Sequence, residues 1–178
     1  VGKTYSIRNF GNKHFESFIE INFVKIPEAI DIFKKAADSD SILLRLSAFT
    51  DKPLIKGKTL IFFDEVQKCP EIVTAIKFLV DEGSYRYILS GSMLGVELKG
   101  LSSAPVGYMD IMEMYPIDFK EFIGALGVSS RILDMLHQCF NDRTMIDEVI
   151  HSRLMQLFRL YLVVGGMPAA VQKYLDTH

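Results

Sequence analysis

Two adjacent acids, Asp64 and Glu65, close the apolar run Thr59-Leu60-Ile61-Phe62-Phe63. A short continuous apolar run of this kind fits a strand buried on both faces. Such a strand holds carboxylates rigidly at the carboxyl edge of a sheet, where open α/β sheets bind ligands. There Asp64 would hold a magnesium ion through water, and Glu65 would orient and deprotonate an attacking water. An ordinary strand with solvated terminal acids fits these residues alone equally well.

The chain opens on Gly2-Lys3-Thr4, the last three residues of the pattern G-x-x-x-x-G-K-[ST]. In that loop, backbone N–H groups wrap phosphates, the lysine reaches the β and γ phosphates, and the threonine hydroxyl binds magnesium. The following helix directs its positive N-terminal end at the anion. Val1 is the last of the four intervening residues; the first glycine, the three residues after it and the preceding strand are expected to be missing, with the chain starting inside the loop. A second copy, Gly57-Lys58-Thr59, has Lys52 where the first glycine would fall and leads into a strand. It reads as a solvated turn. A third feature is Tyr87-Ile88-Leu89-Ser90-Gly91-Ser92, a buried strand ending in small polar residues. Ser92, and after it Ser90, would set a hydroxyl near the attacking water or the γ-phosphate, although Ser92 serves equally well as a helix N-cap.

The elements that would position these groups follow from periodicity. Lys3 to Phe10 suits a helix stopped by Gly11. Phe15, Phe18, Ile19, Ile21 and Phe23 suit a strand. Pro27 opens a helix whose expected face is Ile26, Ile30, Phe33 and Ala37. A second helix is expected over Ile42 to Phe49, and a turn from Thr50 to Lys58. Pro70 opens a helix with Ile72, Ile76, Leu79 and Val80 inward, ended by Gly83. Tyr85 to Leu89 reads as a short buried strand, and Gly107 to Met114 as a further one. Strands alternating with helices predict a parallel α/β sheet. After Tyr115-Pro116 the pattern turns helical: Phe119 to Leu126, Ile132 to Phe140, Ile146 to Tyr161, and Pro168 to Leu175 after a break at Gly165-Gly166-Met167. The expected domains are therefore 1–115 for the sheet and 116–178 for a helical subdomain.

Composition narrows the partners. Of 178 residues, 49% are hydrophobic and 24% charged, the balance of a packed, soluble chain. A net charge of -2 gives no general attraction to nucleic acid or to a membrane surface. No apolar run approaches the ~18 residues of a membrane span. Cys69 and Cys139 lack metal-ligand spacing and read as reduced thiols of a cytoplasmic protein. His14, His137, His151 and His178 have no metal-spaced partners and read as surface residues. The eight methionines read as gap-filling core and helix contacts rather than a binding surface, and Arg143, Arg153 and Arg159 as solvated.

The chain resembles the bacterial and archaeal AAA-type P-loop ATPases that carry a winged-helix segment and then a restriction-nuclease-like domain. The resemblance lies in Val1-Gly2-Lys3-Thr4-Tyr5, Thr59 to Gln67, and Leu89 to Gly95. It continues through Ala104-Pro105-Val106-Gly107, Met114 to Phe119 and Val164-Gly165-Gly166-Met167-Pro168. It implies a P-loop sheet flanked by helices and lacking its first strand, then a helical subdomain beginning a winged-helix-like segment. It also implies ATP binding with magnesium, and hydrolysis. Gly2, Lys3, Thr4 and Asp64 would bind nucleotide, Thr4 and Asp64 the metal, and Glu65 and Ser92 would be catalytic. Gly165 to Pro168 would be structural. Some members carry an arginine before the Tyr-Pro segment that reaches a neighbour's nucleotide; Ser103 to Tyr108 contains none. The nuclease-like domain would lie beyond His178. Two other functions stay open: a nucleotide-binding switch with little turnover, and a DNA-associated module, which the charge disfavours. A homo-oligomer is also compatible. A piece lacking its central strand is expected to bind ATP poorly and to be marginally stable.

Overall fold

The computed structural model describes residues 2–34, 38–91 and 107–177. It divides into two compact units, one running from Lys3 to Met112, the other from Glu113 through the C-terminal helices together with residue 2.

The first unit is built on a three-stranded parallel sheet of β1 (Ser17–Asn22), β2 (Thr59–Asp64) and β3 (Arg86–Ser90), in the order β1-β2-β3. The fold class is thus α/β. All six residues of β2 are buried, as a continuous apolar run between two helical layers requires. Because side chains alternate across a strand, the same strands feed two cores. Phe18, Leu60 and Phe62 point to one side, where Ile7 of α1 (Lys3–His14) and Phe15 cover them. Ile19, Ile21, Ile61 and Phe63 point to the other, packing with Ile42 and Leu46 of α2 (Ser39–Ala48) and Ile72, Ile76 and Leu79 of α3 (Glu71–Glu82).

Local chemistry sets the helix ends. The Asp38 side chain caps α2 by accepting from the Ser41 N–H at 2.7 Å, and this contact draws the Asp38 carboxyl below the usual carboxylate range. Gly83 closes α3 with φ 77°, a left-handed conformation that costs glycine little.

Several expectations change. Gly11 does not stop α1, which runs on to His14. It is buried, and a Cβ there would lie 2.3 Å from the Phe18 ring, so the glycine marks a close approach of helix to sheet. Pro27 opens only a 3₁₀ helix, Pro27–Ile32. Three residues per turn bring Ala29, Ile32 and Phe33 into the core and leave Ile26 exposed; Ala37 lies outside the described residues. Val80 is exposed, and Val73 and Ala75 go inward instead. In β3 Arg86 is exposed and only Ser90 is fully buried. No strand forms over 107–114. Ile111 and Met112 are exposed there and only Met109 packs on the core, so β-prone residue types without a pairing partner among the described residues stay irregular. Most described methionines, including Met112, Met145 and Met167, face solvent and lie outside the core.

The second unit is helical: α4 (Phe119–Ala125), α5 (Ser130–Asp142), α6 (Glu148–Val164) and α7 (Pro168–Thr177). Its core is small, centred on Phe122, Ile123, Leu154, Leu157 and Val171. Asp118 and Glu121 form a reciprocal capping box on α4, and Asp147 caps α6 through the N–H groups of Val149 and Ile150. The Gly-Gly-Met-Pro break is structural. The Ile117 N–H donates to the Gly166 carbonyl at 2.8 Å, and the Tyr161 hydroxyl donates to the Ile117 carbonyl at 2.8 Å. A Cβ on Gly166 would lie 2.3 Å from that Ile117 oxygen. Among the described residues no single helix is long and apolar enough to cross a membrane.

Candidate functional site

Parallel strands in register end together. Asn22 pairs with Asp64 across β1 and β2, and Asp64 with Ser90 across β2 and β3. Three apolar strands thus finish in one row of polar side chains at the carboxyl edge of the sheet, the edge at which open α/β sheets take ligands.

Asp64 is the centre of that row. It is buried, and a buried carboxylate is costly unless hydrogen bonds replace its water. Four donors do so. The Thr4 hydroxyl and the Asn22 amide donate to Oδ2 at 3.2 and 3.0 Å. The Ser90 hydroxyl and the Glu65 backbone N–H donate to Oδ1 at 2.8 and 3.1 Å. Thr4 reaches the carboxylate because it sits in the first turn of α1, and Lys3 beside it places its ammonium 3.4 Å from the Gly91 carbonyl. One helix and all three strands therefore converge within a few ångströms. Gly2 precedes the helix with φ 78°, a left-handed backbone suited to glycine.

Glu65 follows directly and is held in the left-handed region, φ 58° and ψ 43°. For a residue with a long side chain that conformation costs about 1–3 kcal/mol, and it persists where surroundings impose it, often at functional sites. It ends β2 abruptly and turns the chain into the 3₁₀ turn Val66–Lys68, anchored by buried Val66. The Glu65 carboxylate accepts a hydrogen bond from the Gln67 amide.

The arrangement can hold a hard divalent cation. Thr4 Oγ1 and Asp64 Oδ2 are adjacent oxygen donors, and magnesium is usually held by one or two carboxylates with the rest of its shell from water and phosphate. No group of three or more acidic, histidine or cysteine side chains clusters among the described residues, so a cage made wholly of such side chains is not built there.

Of the residues singled out from sequence, the structure brings Lys3, Thr4, Asp64 and Ser90 together, with Glu65 alongside. Ser92 lies outside the described residues, as do Ser103 to Val106. Asn22 was missed; its signal was a polar residue closing an apolar strand, and the register sets it directly beside Asp64. The second Gly-Lys-Thr copy is a turn: Gly57 has φ 72°, Lys58 pairs with Glu16 at 2.6 Å, and Thr59 begins β2. Burial pushes the Cys69 thiol up to about 12, so it is an inert core group. His14, His137 and His151 are exposed, and His178 lies outside the described residues.

A family model described as an AAA domain matches residues 1–123. No curated protein and no solved structure matches the chain.

Proposed function

Because this chain belongs to the AAA-domain family, we propose that its strand-end site binds ATP with magnesium and hydrolyses it. The observation that carries the reading is the meeting of Thr4, Asn22 and Ser90 on the buried Asp64 carboxylate, one residue before the strained Glu65. The ATP core would run to about residue 115, with the helical segment after it an appended subdomain, in line with the unit boundary near residue 112.

In this scheme Lys3 leaves the Gly91 carbonyl and bonds the phosphate oxygens, and the N-terminus of α1 faces the same anion. Thr4 and Asp64 would hold magnesium, which when bound supplies charge to neutralise the phosphate oxygens. Glu65 orients a water and takes its proton as the water oxygen bonds to the γ-phosphorus. The bond from that phosphorus to the bridging oxygen breaks, and ADP and phosphate leave. Ser90 steadies Asp64, and Ser92 lies two residues further along the chain.

Magnesium-dependent phosphate release by the full-length protein tests this. Glu65→Gln is expected to lower turnover about 10²–10⁴-fold with nucleotide affinity retained. Unchanged turnover in that variant sinks the assignment. A second reading, a nucleotide switch with little turnover, is favoured by the lack of arginine between Ser103 and Tyr108. Tight ATP binding with negligible phosphate release would select it.

A further inference from the structure

A general base works only when something holds it, because a carboxylate on a flexible side chain spends little time aimed at the water. Asp64 has four donors around it, whereas one donor to the Glu65 side chain stands out: the Gln67 amide, bonded to Oε2. The two residues flank Val66, which is buried and pins the turn between them. The left-handed backbone of Glu65 is what makes the contact reachable. An extended strand would send residues 65 and 67 to the same face about 7 Å apart, whereas the turn folds residue 67 back over the residue it follows. Lys68 N–H closes that turn on the Glu65 carbonyl at 3.0 Å. The Gln67 side-chain oxygen is itself enclosed, and its amide nitrogen is turned toward Glu65 Oε2.

We infer that Gln67 is a positioning residue for the general base: its amide holds Oε2 of Glu65 so that Oε1 is presented to the attacking water. This rests on the hydrolytic reading above. Gln67 touches neither water nor phosphate in this role and acts only through Glu65. A neutral amide suits the task, since it donates to the carboxylate and, unlike a lysine, adds no counter-charge.

The test is steady-state ATP turnover of the full-length protein with Gln67→Ala, Gln67→Glu, Glu65→Gln and the double variant Glu65→Gln/Gln67→Ala. A misplaced base is expected to cost Gln67→Ala about 10–100-fold in kcat with KM for ATP unchanged. Gln67→Glu keeps the shape but removes the donor and sets two carboxylates together, so it should be at least as impaired. In the Glu65→Gln background Gln67→Ala should cost nothing further, because residues acting as a unit are non-additive. Gln67→Ala turnover equal to or above the wild type overturns the inference while the hydrolytic reading stands. So does an equal loss in both backgrounds, or full activity in Gln67→Glu, each of which would mark Gln67 as a packing residue. Absence of turnover in the wild type overturns both readings.

Discussion

The chain contains the tripeptide Gly-Lys-Thr twice, and the two copies have different fates. At residues 2–4 the lysine and threonine open α1, and the threonine hydroxyl reaches across the fold to Asp64. At residues 57–59 the glycine makes a turn, the lysine pairs with Glu16 at the surface, and the threonine disappears into the start of β2. Thr59 is fully buried, and its hydroxyl is spent locally on the N–H and carbonyl of Ile55, at 2.8 and 3.0 Å. One copy points its polar atoms at a distant carboxylate; the other uses them to tie down four residues of its own loop. Residue type sets what a group can do, and the element that follows decides what it meets.

The contrast can be broken in three places. The largest effect is expected from Lys3→Ala, which removes a charged donor from the phosphates and should lower turnover about 10²–10³-fold. Phosphate release would report it, and an equal loss in Lys58→Ala would erase the distinction between the copies. Next comes Thr59→Val, which removes the acceptor of the partly buried Ile55 N–H. Urea unfolding should show a loss of about 1–3 kcal/mol, with turnover per folded molecule unchanged. Smallest is Lys58→Ala. Its ion pair with Glu16 is more than half exposed on both sides, so the loss of stability should be about 0.5 kcal/mol or less. A double-mutant cycle with Glu16→Ala measures it.

The interior of the first unit was legible wherever burial and period agreed. Leu60 to Phe63 admits little but a strand covered on both faces, and the Ile72-Ile76-Leu79 spacing between Pro70 and Gly83 admits little but a helix. The pair Asp64-Glu65, ambiguous alone, stood out through its order, after Gly2-Lys3-Thr4 and before the polar-ended strand at Ser90. Illegible features depended on what lay opposite. Gly11 carries the same letter as a helix stop, and only the Phe18 ring against it reveals its purpose. The segment 107–114 has strand-forming residues and no strand to pair with among the described residues. Asn22 and Ser90 meet Asp64 through the register of three separated segments, and no local pattern encodes register. Gln67 meets Glu65 only because a residue with a full side chain takes a backbone conformation that favours glycine.

Gly11 has one more consequence. The helix that carries Lys3 and Thr4 rests on the sheet at a point where hydrogen stands in for a side chain, with the Phe18 ring filling the vacated space and lying stacked on Phe62 at 6.3 Å. A single methyl group there would lever α1 away from β1 and carry the threonine hydroxyl with it, although residue 11 is seven positions from Thr4. The seat of the helix is therefore a tuning point that contains no functional group. Random mutagenesis for altered turnover would find it as a position tolerant of nothing, and for a reason written in empty space.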